Sequence, residues 1–505
     1  MRHLRARQYL LTGAAGLALA LALPGPGLWP LVFLTPGLLR RGLDGERGWP
    51  AFRRGWMGGI VQWAVAAPWV VIVLHRHGHL AFVLSVAALL LMAALLGLQW
   101  ALAAWGSSRA PRSWQPWVLP LCLAAMEQLQ RFPPWIFPWN PVAAVATAAP
   151  PLLLPLPVLG AAGLSLLLLL AGSALDQLAE RRWRRGAVLA GFVVAGFVVA
   201  SAASPPFLPA GEPVHAAALQ PNIPLEFRWD AANLSEIEER VWRLNLEAAH
   251  HGAKWIVWPE SAIPRYLERD AEYRSVIEDL ARRQSIWLLV GSIGFGADPD
   301  EYYNSVFSVS PAGLVPWRYD KVHLVPFGEY VPLAGRVPIL RPLVREVGSF
   351  TPGRSTMPLP GPAGPVGVAV CYEVTFPGLI AEQVANGAQI LATITNDGWY
   401  GDSAAPRQHL ALAVLRAAES RRFLVRAANT GISAIIDPYG RVVASLGLDR
   451  EGSVAGVVRP GAGVTLAVRV GGAVRTGMVV LALAVILLAG RRRQRTAAAA
   501  ASDWK

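Results

Sequence analysis

Gly364-Pro365-Val366-Gly367-Val368-Ala369-Val370-Cys371-Tyr372-Glu373 is an apolar, β-branched run that delivers a cysteine, an aromatic ring and a carboxylate in that order. Such a run fits a buried strand, and its end is where a fold can hold out a nucleophile. The chain has two cysteines. Cys122 lies in a long apolar segment, where a free thiol acts as a small hydrophobe. For Cys371 both readings stand at this point: a core thiol or a reactive one. Two distant cysteines and no C-x-x-C give neither a disulfide framework nor a redox motif.

Outward from this stretch, residues 206–462 have the polarity of a globular domain. Strand-like runs lie at 214–219, 255–258, 287–291, 305–310, 366–371, 390–395, 431–437 and 452–457. Helical stretches fall between them at 233–250, 270–283, 377–386 and 408–422. This alternation predicts an α/β layered fold.

The flanks are different. The 505-residue chain is 54% hydrophobic and 16% charged, with a mean hydropathy of +0.38, the composition of a polytopic membrane protein. Seven apolar segments precede the globular region, at 9–24, 26–40, 56–74, 80–105, 115–130, 151–175 and 187–204. An eighth runs from 472 to 490. Several approach the ~20 residues that cross a bilayer. Arginine placement orients them by the positive-inside rule. One set of loops carries Arg2, Arg5 and Arg7; Arg40, Arg41, Arg47, Arg53 and Arg54; Arg109 and Arg112; Arg181, Arg182, Arg184 and Arg185; and Arg491, Arg492, Arg493 and Arg495. The alternate short loops carry only Arg76 and Arg131. The expectation is about eight spans with both termini cytoplasmic. The domain boundaries are 1–205 for a seven-helix membrane part, 206–462 for the outer domain, 463–490 for a closing span and 491–505 for a basic, disordered tail. The net charge of +13 sits largely in those loops, and no nucleic-acid-binding signature accompanies it.

Three polar residues of the outer domain invite comparison with Cys371. Glu260 ends the strand-like Trp255-Ile256-Val257-Trp258-Pro259. Lys321 and Glu329 lie eight residues apart in Lys321-Val322-His323-Leu324-Val325-Pro326-Phe327-Gly328-Glu329. Only Lys254, Lys321 and Lys505 of the 46 basic side chains are lysines. A lysine kept inside a dense motif suits a task a planar, permanently charged guanidinium does not do. A cysteine needs a base or a cation to become a thiolate. A buried carboxylate can take the proton, and an ammonium with a backbone N–H such as that of Tyr372 can stabilise an oxyanion. His323 and His409 compete for the base role. No H-E-x-x-H-type cluster occurs, so no metal and no cofactor are expected.

These motifs carry a resemblance. Trp258-Pro259-Glu260, Lys321 through Glu329-Tyr330-Val331-Pro332, Cys371-Tyr372-Glu373 and Asn396-Asp397-Gly398-Trp399-Tyr400 resemble the nitrilase, or carbon–nitrogen hydrolase, superfamily. With the flanking spans they resemble its membrane-embedded branch, the apolipoprotein N-acyltransferases. The resemblance implies a nitrilase-like αββα sandwich set between the transmembrane helices. It implies Glu260 as general base, Lys321 as oxyanion stabiliser and Cys371 as nucleophile. Glu329, Glu373 and Tyr372 would support them, with Trp229 and Trp399 in the substrate pocket. Acyl transfer would run by ping-pong from a phospholipid, phosphatidylethanolamine in particular, through a thioester to the amine of a diacylglyceryl-cysteine. The enzyme would sit as a monomer in the bacterial inner membrane, with its catalytic domain periplasmic.

Two apolar loops fit that setting: 131–140, aromatic and proline-rich, as a platform for lipid, and 331–344 as a gate. A surface anchor and a packed loop are the plainer readings. The alternatives in function are a membrane-tethered amidase with the same triad and a transporter with an outer binding domain. Glu127 is the main acidic residue within the spans, which speaks against transport.

Overall fold

The computed structural model describes residues 2–132, 137–228, 230–298, 300–330 and 350–502. The chain divides into two compact units. One comprises residues 1–204, 403–411 and 469–505, the other 205–402 and 412–468.

The first unit is helical: α1 (Arg2–Ala22), α2 (Thr35–Gly42), α3 (Trp49–Ala66), α4 (Trp69–Ile72), α5 (Phe82–Ser107), α6 (Gln115–Glu127), α7 (Leu156–Ala179) and α8 (Trp183–Ala202). Backbones approach closely where side chains are missing. A Cβ on Gly16 of α1 would collide with the Gly58 carbonyl of α3, and one on Gly59 would meet Gly97 Cα of α5 at 2.6 Å. Small residues at helix crossings are the usual device of helices in lipid.

Among the described residues, four helices are long and apolar enough to cross a membrane: Phe82–Ser107, Leu156–Ala179, Trp183–Ala202 and Leu466–Ala489. The bent pair Trp49–Ala66 and Trp69–His77, turned by 57°, makes up to five. Pro68 stands at that bend, where a missing N–H interrupts the helix. The second apolar segment is a 3-10 turn, Trp29–Leu34, followed by the eight residues of α2. The fifth is the 13-residue α6 with Pro120 inside it, about 20 Å long at helical rise. Glu127 accepts hydrogen bonds from Val142 N at 2.8 Å and Ser165 Oγ at 3.1 Å, so it ties α6 to the next turn and to α7.

The second unit is a sandwich of two sheets. The six-stranded sheet has the order β11-β1-β2-β3-β4-β5 and the five-stranded sheet β10-β9-β8-β7-β6. The strands are β1 (Val214–Gln220), β2 (Trp255–Val257), β3 (Trp287–Phe295), β4 (Tyr302–Ser310), β5 (Gly313–Asp320), β6 (Val366–Val370), β7 (Ile390–Thr395), β8 (Leu424–Ala428), β9 (Ser433–Ile436), β10 (Val442–Leu446) and β11 (Gly452–Val458). Strands β1, β2 and β3 run parallel, as do β6, β7 and β8.

Alternation along β1 shows how the layers form. Ala216 and Ala218 join Val368, Val370, Ile390, Ala392, Ile394 and Val425 in the core between the sheets. Ala217 and Leu219 face the other way, onto Val241 and Leu244 of α9 (Leu234–His250) and Ile277 of α10 (Ala271–Gln284). A period of two on a strand puts successive side chains on opposite faces. Helices α11 (Pro377–Ala385) and α12 (Ala405–Ser420) follow β6 and β7, and α13 (Leu466–Ser502) ends the described chain.

Three strands are additions to the sequence reading: β5, β8 and β10. β8 carries the fully buried Arg426 inside a five-residue apolar run, a charge that disguises a central strand. Helix α13 runs on to Ser502, into the basic segment 491–505. The alanines at 497–501 are the strongest helix formers. The gate expected at 331–344 lies outside the described residues, as do 133–136 of the aromatic loop. Of that loop, Phe137 stacks on Trp139 at 5.8 Å between ring centroids and packs against Trp63 and Trp69.

Candidate active site

The polar residues singled out in the sequence lie just past the carboxyl ends of strands from both sheets. Glu260 follows β2, Lys321 follows β5 and Cys371 follows β6. Open α/β sheets place their ligand sites at such strand ends.

Cys371 begins a 3-10 turn, Cys371–Thr375, and has φ +52°. A residue with a Cβ held in the left-handed region stores about 1–3 kcal/mol of strain, a cost that clusters at functional sites. Glu373, fully buried, braces this turn. Its Oε2 accepts Val370 N at 2.8 Å. Its Oε1 accepts Tyr319 Oη at 2.8 Å, Val322 N at 2.7 Å and His323 N at 3.1 Å. One carboxyl group therefore ties the cysteine turn of the smaller sheet to the lysine turn of the larger one. Burial pushes Glu373 up to about 7, against the pull of those donors and of Lys321.

Lys321 is 1% exposed. Its Nζ donates to Glu329 Oε1 at 3.0 Å and stands 3.7 Å from Glu260 Oε1. Burial acts to lower its pKa, but the carboxylates of Glu329 and Glu260 outweigh it and the net direction is up. The ammonium is held charged. Glu329 Oε2 also accepts Val325 N at 2.8 Å, which closes the turn it sits on.

The Cys371 thiol is pushed up to about 12, first by burial and then by the negative charge of Glu260. Lys321 and a hydrogen bond with Thr395 pull the other way. The resting group is a thiol, so its proton has to be taken at the moment of attack. A carboxylate close enough to act on its charge can take it.

Tyr372 is buried, with its ring edge-on to Phe376 at 5.2 Å. Trp399, 44% exposed, lies on the short turn Asp397–Tyr400 after β7. Trp229 lies outside the described residues. Of the two competing bases, His323 is stacked on Phe376 at 4.0 Å, and burial lowers its pKa. His409 belongs to the helical unit, with its ring 5.2 Å from that of Trp139.

Three residues of this site had no role in the sequence analysis, although Asn396 heads one of its motifs. Asn304 on β4 donates from Nδ2 to Glu260 Oε1 at 2.7 Å and to Glu329 Oε1 at 2.9 Å. Asn396, one residue past β7, donates its N–H to Glu260 Oε2 at 3.1 Å. Arg228 donates to the carbonyls of Glu260 and Ser261, with Nε 3.0 Å from the latter. Ser261 has φ +42°, so the guanidinium clamps a strained turn just after Glu260. One signal for Asn304 was available: asparagine is depleted in strands, yet Asn304 stands within a strand-like run and opens the buried part of β4. Among the described residues there is no group of three or more His, Cys, Asp or Glu side chains placed to hold a metal ion.

Residues 215–462 match the carbon–nitrogen hydrolase family, and residues 15–174 match the apolipoprotein N-acyltransferase N-terminal domain. An apolipoprotein N-acyltransferase from Geobacter metallireducens is 35% identical over 472 residues, covering 90% of each chain. One from Azotobacter vinelandii is 34% identical over 476 residues, again covering 90% of each. Among solved structures, the C. elegans NitFhit protein is similar at a TM-score of 0.40 and 22% identity, covering 50% of this chain and 61% of that one. By its similarity to the curated relatives across nine-tenths of its length, the chain belongs to the apolipoprotein N-acyltransferase family.

Proposed function

We propose that the chain transfers an acyl group from a phospholipid, through a thioester on Cys371, to the N-terminal amine of a diacylglyceryl-cysteine on a lipoprotein. Phosphatidylethanolamine is the donor we favour. The observation that carries this reading is a buried thiol under the charges of both Glu260 and Lys321, in a chain that also has membrane-length apolar helices.

In the first half-reaction Glu260 takes the thiol proton and Cys371 Sγ attacks the ester carbonyl. The oxyanion is stabilised by the Lys321 ammonium and the Tyr372 N–H. The C–O bond breaks, the lysophospholipid oxygen takes the proton back from Glu260, and the thioester remains. In the second, the lipoprotein amine attacks the thioester, Glu260 accepts the amine proton, and the sulfur leaves to be reprotonated. The product is an N-acylated, triacylated lipoprotein. General-base help of this kind contributes ~10²–10⁴-fold. Glu329 and Glu373 support Lys321 and the cysteine turn, while Trp229 and Trp399 serve in substrate binding.

In our reading about eight apolar segments lie in the bacterial inner membrane. Both termini are cytoplasmic and residues 206–462 periplasmic, where donor lipid and lipoprotein meet. The enzyme acts as a monomer, with no cofactor and no nucleic-acid partner. The arginine bias of the loops supports this arrangement.

Intact-mass analysis of the purified full chain tests the chemistry. Incubation with phospholipid is expected to add one acyl group, to add none in Cys371→Ala, and to lose the group to a lipopeptide with a free amine. Release of free fatty acid alone, with no N-acyl peptide, would establish the amidase-like hydrolase instead.

A further inference from the structure

Lys321 is too far from Glu260 to orient it. At 3.7 Å the pair attract but lie beyond hydrogen-bond reach, and the lysine's close partner is Glu329 at 3.0 Å. The hydrogen bond on Glu260 Oε1 comes from Asn304 Nδ2, at 2.7 Å. The same amide nitrogen reaches Glu329 Oε1 at 2.9 Å. An amide NH2 has two hydrogens, one for each carboxylate.

The backbone of Asn304 is equally placed. It sits opposite Ile293 in the β3–β4 ladder, and its carbonyl accepts Lys321 N at 2.9 Å. Thus one residue touches the base, the second carboxylate and the lysine's own backbone. Its orientation is settled by charge. Turning the amide over would point an oxygen at two carboxylates. As it stands, Asn304 Oδ1 is buried and has no partner among the described residues, a cost of the kind met at functional sites.

We infer that Asn304 is a positioning residue for Glu260. Its two N–H groups bridge Glu260 and Glu329, and with Asn396 N–H on Glu260 Oε2 they fix the rotation of the base toward Cys371. The inference rests on reading Glu260 as the base for that thiol. The groups facing Glu260 include Lys321, Glu329, Asn304, the Asn396 N–H, Cys371, Arg228 and the Tyr400 phenol. Without the Asn304 donor the carboxylate form loses stabilisation, and a carboxylate at position 304 would add repulsion.

The test is the pH dependence of Cys371 alkylation by iodoacetamide, read by peptide mass on the full chain in detergent. This needs neither acyl donor nor acceptor. The acyl-adduct assay is run beside it, so failure of acyl transfer and failure of this inference are separate outcomes. In the unmodified protein the rate is expected to rise with pH along an acid limb set by the base. Asn304→Asp and Asn304→Ala should move that limb to higher pH by about one unit, the scale of one charge-assisted hydrogen bond. Asn304→Ser, which keeps one donor hydrogen, should fall between and serves if the others do not fold. Lower rates with the limb unmoved would reduce Asn304 to packing and overturn the inference. So would the absence of any acid limb in the unmodified protein.

Discussion

Glu373 is the residue on which the two halves of the site depend. Four donors converge on it, from the ends of β5 and β6 and from the turn after Lys321. Its folded-state pKa, about 7, is above the ordinary glutamate value near 4.3. The folded state therefore holds more protons than the unfolded one between those values. By linkage this group's contribution is full below about pH 4 and is lost as pH rises through about 7. Unfolding followed by denaturant between pH 5 and pH 8 should show stability falling by up to about 3 kcal/mol from this source. Glu373→Gln, less stable throughout, should lack that slope. An identical slope in both proteins would remove Glu373 as its origin. At this scale the sequence was legible where a residue type was unusual, as with Lys321, or stood at the end of an apolar run, as with Glu260 and Cys371. The roles of Asn304, Arg228 and Asn396 were not legible, because they depend on partners 44, 32 and 136 residues away.

Strand β8 shows what an element can hide. Arg426 on it pairs with Asp397 at 2.6 Å, and both side chains are fully buried. Arg426 Nε also donates to Ile432 O at 3.1 Å, and Asp397 accepts Thr395 Oγ1 at 3.0 Å. The pair locks the turn after β7, which supplies the Asn396 N–H to Glu260. Removing one member leaves the other charge buried without its counter-charge, a cost of ~3–5 kcal/mol. Arg426→Met should lower stability by about that amount in denaturant unfolding of the full chain. Arg426→Met with Asp397→Leu should recover part of it. A single variant as stable as the original would contradict this account. Among the helices, Glu127 is held by a backbone N–H and a serine hydroxyl that join α6 to α7. That explains an acid in an apolar segment without a transport pathway.

At the scale of the molecule, sidedness is the open prediction. Asp44 is exposed in the loop after α2, and a Cβ added at Gly447 would meet nothing within 4 Å. In intact spheroplasts a membrane-impermeant maleimide should label Gly447→Cys but label Asp44→Cys only after permeabilisation. The reverse pattern would invert the proposed topology. By itself the sequence determined the division into apolar flanks and an α/β domain, the arginine bias of the loops, and the order Glu260, Lys321, Cys371. These are properties of composition and of short-range period, which a chain carries before it folds. Only the tertiary structure decided which strands join which sheet, that Glu329 rather than Glu260 is the close partner of Lys321, and that Asn304 stands between the two acids. The physical reason is that a hydrogen bond is made or lost within about half an ångström. Strand register sets that distance between residues far apart in the chain, and no local pattern records it.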